Sequence, residues 1–100
     1  MAKCILNKGI DFSVKVKFFN GSNMSGVLRN HVDHNNFITV NPLIVDDYML
    51  FVYTAEETLK LISGSCAFEI YDDTTKELMI YCDNFVFARE NIVSLNPPTN

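Results

Sequence analysis

The chain has little of several residue types and lacks long apolar runs. Its 100 residues include no tryptophan, four glycines, three prolines and three cysteines. Its longer apolar stretches, such as residues 48–53, hold only a few residues, whereas a membrane-spanning helix needs about 20. The N-terminus has no apolar stretch long enough for the core of a secretory signal. The sequence therefore predicts neither a transmembrane segment nor export.

The three cysteines are odd in number and widely spaced, so the sequence favours neither a disulfide framework nor a zinc site. His31, Asp33 and His34 lie close together, but no fourth ligand follows at a recognisable spacing. No motif places a histidine beside a cysteine for nucleophilic catalysis. We expect no metal, no cofactor and no enzymatic activity, and reduced thiols fit a cytoplasmic location.

The formal net charge of −4 argues against a protein that coats nucleic-acid backbones, because such binding depends on many phosphate contacts. The charges are unevenly distributed, however, since five of the eight basic residues lie within the first 31 positions. This asymmetry permits a local basic surface, although lysines on the solvent face of a strand explain it equally well.

The most informative run covers residues 14–37, VKVKFFNGSNMSGVLRNHVDHNNF. From residue 12 to residue 18, apolar and polar residues alternate, which predicts a half-buried strand with Val14 and Val16 on its apolar face. Asn20-Gly21 favours a tight hairpin turn. Gly26 then interrupts a second strand, residues 22–30, and indicates a bend, a bulge or a close backbone approach.

The rest of the chain predicts further strands and one short helix. Residues 30–36 form a polar loop, and Pro42 restricts a third strand, residues 37–45, to an edge or a bulge. Thr54 and Glu57 form a capping-box pattern for a helix over residues 55–63, with Ala55, Leu59 and Ile62 on one apolar face. Further strands are expected at residues 48–53, 67–71, 78–87 with a bulge at Asp83-Asn84, and 92–95, followed by a flexible tail at 97–100.

These elements predict a single, mainly β domain, a small and strongly bent open barrel of five or more antiparallel strands with one short helix. The opening segment resembles the first motif of the Sm and Sm-like (LSm) proteins. Gly21, Gly26, Leu28 and Asn36 fall on that motif's positions, and residues 85–95 weakly resemble the second. The resemblance implies that the chain is a divergent member of this family with an SH3-like barrel. Its first motif would cover about 12–45, an insertion about 46–75 and the second motif about 76–96.

The resemblance also implies a nucleic-acid site near a central pore. His34 falls on the family's base-stacking position and Asn36 on the position that contacts a base edge. The family's aspartate falls at Val32, so Asp33 lies one residue late. The family's Arg-Gly pair falls at Ala88-Arg89, so Arg89 is also displaced by one position. The implied nucleic-acid-binding residues are thus His34, Asn36, Arg89 and Asp33.

From this resemblance we expect a homo-oligomeric ring of roughly five to seven subunits. It would bind single-stranded RNA, or DNA, at its pore loops and take part in RNA or DNA processing or metabolism. The ring would form by pairing the strand that runs from Leu78 to Phe87 with a neighbour's strand from Ile92 to Leu95. The alternative is a structural or protein-interaction ring of the same fold without nucleic-acid binding. A short chain rich in asparagine is typical of a phage, which would place it in the host cytoplasm.

Overall fold

The structure, a computed structural model, describes residues 4–17 and 23–90. The predicted turn at Asn20-Gly21, the predicted strand at 92–95 and the tail lie outside these residues. The described elements are, in chain order, β1 (Cys4–Asn7), β2 (Phe12–Lys17), β3 (Met24–Asn30), β4 (Phe37–Val40), β5 (Leu43–Val45), β6 (Tyr48–Tyr53), α1 (Ala55–Thr58), β7 (Gly64–Asp72) and β8 (Leu78–Arg89).

Two sheets make up the described fold. Five strands form a strongly curled sheet in the order β1-β8-β7-β3-β4, and three form a second sheet in the order β2-β6-β5. The predicted mainly β, barrel-like architecture with one short helix is confirmed. All pairings among the described strands are antiparallel except one, since β1 lies parallel to the end of β8, with Cys4 opposite Val86 and Asn7 opposite Arg89. This N-terminal strand was not predicted from the sequence.

The core lies between the two sheets and is built from alternate residues of their strands. In β2, Val14 is buried while Ser13 and Lys15 are exposed, as the period of two predicts. Aromatic rings join the layers, because Phe51 of β6 packs edge-on against Phe68 of β7 with 5.4 Å between ring centroids. The buried core comprises Leu6, Val14, Met24, Leu28, Ile38, Met49, Phe51, Tyr53, Leu61, Cys66, Phe68, Ile70, Val86 and Ala88.

Gly26 marks a close approach, one of the three possibilities that the sequence left open. A Cβ atom at this position would lie 2.7 Å from Cε2 of Phe51, a distance that real Cβ contacts essentially never reach. The ring of Phe51 is fully buried against the backbone of β3. Glycine therefore allows β6 to pack directly across the curled sheet.

The predicted third strand, residues 37–45, is two strands that belong to different sheets. β4 pairs with β3, whereas β5 pairs with β6. The break falls at Asn41 and Pro42, because proline has no N–H to donate and cannot continue a ladder. At this break the chain passes from one layer of the barrel to the other.

The predicted capping box at the start of the helix is confirmed. The backbone N–H of Glu57 donates to Oγ1 of Thr54, and Oε1 of Glu57 accepts from the backbone N–H of Thr54 at 2.9 Å. The carboxylate of Asp11 also accepts from the N–H of Ala55 at 2.6 Å. Acidic groups at a helix N-terminus satisfy donors that have no partner within the helix.

The prediction of a helix over residues 55–63 is wrong in its length, since α1 ends at Thr58. The N–H groups of Lys60 and Leu61 donate to carbonyls three residues back instead of four. The N–H of Ile62 then donates to Oδ1 of Asn36 instead of continuing the helix. The predicted apolar face is also wrong. Leu59 and Ile62 are 59% and 47% exposed, whereas Leu61 is buried. A hydrogen-bond acceptor from a distant part of the chain, Asn36, has replaced the carbonyl group that a longer helix would have used.

The segment that the resemblance treats as an insertion, about 46–75, contributes central parts of the described barrel. It contains β6, the middle strand of the smaller sheet, and β7, the middle strand of the larger one. In β8, the predicted bulge is present: the pairing with β7 slips between Val86 and Cys82, and Asn84 adopts a φ of 58°. Among the described helices none has the length and apolar character needed to cross a membrane.

Candidate functional site

The loop that joins β3 to β4, residues 31–36, is organised by a buried asparagine. Asn30 is only 1% exposed, and its Oδ1 accepts from the backbone N–H groups of Val32 and Asp33 at 3.0 and 2.8 Å. Its Nδ2 donates to the carbonyl of Ile62 at 3.0 Å. One side chain thereby shapes the loop and attaches it to the segment that follows α1.

Asn36, predicted to read a base edge, is engaged inside the chain. Its Nδ2 donates to the carbonyl of Lys60 at 2.9 Å, and its Oδ1 accepts from the N–H of Ile62 at 2.8 Å. Both polar atoms of the amide thus bond to the backbone of residues 60–62. These bonds give Asn36 a structural role in the loop, and they use one of its two amide N–H groups and one of the two lone pairs of Oδ1.

Arg29 and Glu69 form an ion pair behind the loop, on the face of the larger sheet that points away from the core. Nε of Arg29 lies 3.3 and 3.2 Å from the two carboxylate oxygens of Glu69, and Nη1 donates to the carbonyl of His34 at 2.7 Å. The guanidinium carbon lies 4.5 Å from the ring centroid of Phe37. The Tyr71 hydroxyl donates to Oε1 of Glu69, and this bond raises the pKa of Tyr71 above its ordinary value.

A half-open pocket of about 350 Å³ lies beside this ion pair. Its lining combines one small residue with several planar groups: Arg29, Asn30, His31, His34, Ala67, Glu69 and Tyr81. Tyr81 pairs across the strands with Glu69, so it lies on the β8 side, whereas the histidines enter from the loop. The rings of His31 and His34 meet edge to face with 6.4 Å between centroids. Of the four site residues expected from the sequence, His34 alone lines this pocket.

Asp33 and Arg89 occupy other positions. Oδ1 of Asp33 accepts from the N–H of Asn35 at 3.1 Å, and its carbonyl accepts from the N–H of Asn36, which makes Asp33 a turn residue. Nε of Arg89 donates to Oδ1 of Asn7 at 2.8 Å, so this side chain is bound to β1. Neither residue contributes to the lining of the pocket.

The loop and the end of β8 are nevertheless near one another, because residues 60–63 connect them. Asn36 bonds to one end of this segment, and Oγ of Ser63 donates to Oε2 of Glu90 at 3.1 Å. The same carboxylate oxygen accepts from Nζ of Lys8 at 2.9 Å, which together with Ser63 lowers the pKa of Glu90. The resemblance implies that this loop and the end of β8 meet at one site. In the structure, residues 60–63 lie between them and bond to both.

Sequence reasoning missed Arg29, Glu69, Ala67 and Tyr81. Alternation within β3 was the available signal, since Arg29 lies on the face opposite Gly26 and Leu28. No signal linked Arg29 to Glu69, because the two are 40 residues apart in the chain and meet only through the register of β3 with β7.

No family model matches this sequence, no curated protein is similar to it, and no solved structure matches its fold. The Sm-like resemblance therefore rests on the residues of the first motif.

Proposed function

We propose that this protein is a ring-forming Sm-like protein that binds single-stranded RNA, and that it holds one base in the pocket beside Arg29. The observation that carries the proposal is the pocket itself. Its volume of about 350 Å³ falls within the range of roughly 300–1,000 Å³ that is usual for small-ligand sites. Imidazole, phenol and guanidinium groups surround it, and unpaired bases stack on such planar groups.

The depth of the pocket depends on a small side chain. Ala67 of β7 lies opposite Arg29 in the paired strands and lines the pocket, while Tyr81 on the adjacent strand is 54% exposed. The methyl group of Ala67 leaves space that a larger residue would fill. A base that enters this space meets His34 or Tyr81 with its ring face and the Arg29–Glu69 pair with its edge.

The charge of the site favours recognition of a base over coating of a backbone. Arg29, the permanently charged residue of the pocket lining, is paired with Glu69, and the whole chain is acidic. We therefore expect weak binding per subunit and a shallow dependence on salt, because few phosphates are neutralised. A ring would strengthen the binding by presenting several sites to one strand.

Fluorescence anisotropy with an unstructured RNA of mixed sequence and the matching single-stranded DNA, over a series of salt concentrations, tests the proposal. His34→Ala and Tyr81→Ala should each weaken RNA binding by about 10-fold, since stacking on one base is worth about 1–3 kcal/mol. Ala67→Val should weaken binding by filling the pocket while leaving its charges in place. Asn35→Ala, in the same loop but outside the pocket, is the matched control.

Asn36→Ala separates the pocket from the site expected from the family resemblance. Because its amide bonds to the backbone of residues 60–62, we expect this variant to lose stability but to keep its RNA affinity while folded. The proposal is wrong if neither polymer binds at low salt, or if the His34, Tyr81 and Ala67 variants all bind as the wild type does.

A second candidate is a structural or protein-interaction ring of the same fold without nucleic-acid binding. The engagement of Asn36 and Arg89 within the chain, together with the acidic net charge, favours it. It would be the better description if the protein assembles into a closed oligomer but binds neither polymer in the anisotropy experiment.

A further inference from the structure

We infer that the pocket selects guanine over the other bases. This inference rests on the proposed function and adds the chemical identity of the bound base. It follows from the arrangement of donors and acceptors in the lining of the pocket, where Arg29 and Glu69 form an ion pair. Their side chains are 25% and 7% exposed, so the pair is largely shielded from water yet contributes to the lining.

The guanidinium of Arg29 retains a donor that its bonds to the protein do not use. Nε bonds to Glu69, Nη1 bonds to the carbonyl of His34, and a further hydrogen bond of the side chain reaches the Tyr71 hydroxyl. A guanidinium offers more N–H groups than these contacts use. Phe37 supports the guanidinium from one side. The donor is therefore held in a fixed direction and costs little entropy to orient.

The carboxylate of Glu69 retains an acceptor. Oε1 accepts from the Tyr71 hydroxyl at 2.7 Å and from Nε of Arg29 at 3.3 Å. Oε2, among the described residues, accepts only from Nε of Arg29, at 3.2 Å. An ionised carboxylate offers about four acceptor positions, so at least one remains on Oε2. The pocket thus presents a donor beside an acceptor.

Guanine fits this pair better than the other bases do. Its pairing edge carries the O6 acceptor followed by the adjacent N1–H and N2–H donors. Arg29 would donate to O6, and Oε2 of Glu69 would accept from N1–H and from the neighbouring N2–H. Uracil also presents an acceptor, O4, followed by a donor, N3–H. Its third group, however, is O2, an acceptor that the carboxylate repels. Adenine and cytosine each present one exocyclic amino group beside a ring acceptor. They therefore lack the second adjacent donor.

The test is a panel of fluorescent uridine pentamers whose central residue is guanosine, inosine, adenosine, cytidine or uridine, titrated against the full chain. Guanosine should bind about 10-fold more tightly than uridine, since a bidentate base contact discriminates by about 1–3 kcal/mol. Inosine lacks only the N2 amino group and should fall between the two. Equal binding of all five pentamers overturns the inference but leaves the proposed function intact, whereas no binding of any pentamer or of the mixed RNA overturns both.

Glu69→Gln should bring the guanosine pentamer down to the affinity of the uridine pentamer, because an amide offers one acceptor and places a donor where the second acceptor was. Tyr71→Phe is the matched control, since it removes a hydrogen bond to the same carboxylate but leaves the carboxylate in place, and it should keep the guanosine preference. A Glu69→Gln variant that melts as the wild type does and keeps the full preference overturns the inference. The wild-type panel decides the matter independently if this variant does not fold.

Discussion

Gly26 shows how one residue sets the distance between the two sheets. The ring of Phe51 occupies the space that a side chain on β3 would need. Gly26→Ala should therefore lower the free energy of unfolding by about 1–3 kcal/mol, the usual cost of overpacking a core. Urea denaturation measures this change.

The double variant Gly26→Ala with Phe51→Leu provides the control. Removing the ring opens a cavity that the new methyl group can partly fill, so the double variant should lose less stability than the sum of the two single losses. Strict additivity would contradict the proposed contact between Gly26 and Phe51.

Tyr53 presents the opposite case, a polar group without a partner in the core. Its hydroxyl is buried and forms no hydrogen bond with the described residues. An unsatisfied buried hydroxyl costs about 1–3 kcal/mol, so Tyr53→Phe should raise the free energy of unfolding by about 1 kcal/mol at neutral pH. A loss of stability in urea denaturation would contradict the absence of a hydrogen-bond partner for this hydroxyl among the described residues.

The same residue should make the protein sensitive to alkali. Burial, with a further contribution from the charge of Glu57, raises the pKa of Tyr53 far above its ordinary value of 10.0. The unfolded chain then releases this proton near pH 10 while the folded chain retains it, so stability is complete below that pH and falls as pH rises above it. Unfolding measured from about pH 9 to 11 should show a smaller fall for Tyr53→Phe than for the wild type or for the partly exposed control Tyr48→Phe.

At the scale of elements, the single turn of α1 acts as an attachment point. Thr58 is fully buried, and its Oγ1 accepts from the N–H of Gly9 at 3.0 Å. Its one proton is shared between the carbonyls of Ile10 at 3.1 Å and Ala55 at 3.0 Å. The hydroxyl thus ties the helix to the turn between β1 and β2. Residues 60–62, two positions further along the chain, form hydrogen bonds with the side chain of Asn36 and so fix the pocket loop.

Thr58→Val removes this hydroxyl and leaves two backbone groups without a partner, so it should lower the free energy of unfolding by about 2 kcal/mol. Thr58→Ser keeps the hydroxyl and should lose much less. Hydrogen exchange at Gly9 should accelerate in the valine variant. Equal stability of the two variants would show that the packing of the methyl group, not the hydroxyl, matters at this position.

At the scale of the whole molecule, the open edge of the larger sheet is where a ring would form. β1 covers β8 from Val86 to Arg89, and the described strands leave the outer edge of residues 78–83 without a neighbour. Leu78 and Met79 are 48% and 39% exposed there. Exposed apolar side chains on an unpaired edge favour strand addition from another copy.

Native mass spectrometry at micromolar concentration should detect a closed oligomer for the wild type. The double variant Leu78→Lys with Met79→Lys should shift it to monomer, because charges on an edge strand oppose pairing. Leu43→Lys, on β5 of the smaller sheet and 60% exposed, is the matched control and should leave the oligomer unchanged. A wild type that is monomeric under these conditions rules out the ring.

The sequence by itself determined the local structure of this protein. The period of two at residues 12–17, the capping box at Thr54 and the bulge near Asn84 were predicted from neighbouring residues, and the structure confirms each of them. At Gly26 the sequence left a bend, a bulge and a close approach open, and only the packing of Phe51 decided between them. The sequence also predicted a polar loop at residues 30–36, and the structure places this loop at residues 31–36, where the pocket histidines lie. Local sequence carries this information because turns, caps and strand faces are decided within a few residues.

Only the tertiary structure decided which residues meet. The switch of sheets at Pro42, the parallel pairing of β1 and the early end of α1 each depend on partners far along the chain. The pocket has the same origin, because the register of β3 with β7 brings Glu69 to Arg29. The two amide atoms of Asn36 likewise bond to the backbone of residues 60–62, which are distant in the chain. Backbone polar groups and charged side chains form hydrogen bonds and ion pairs with whichever groups the folded chain places beside them. A local sequence pattern does not determine which groups these are.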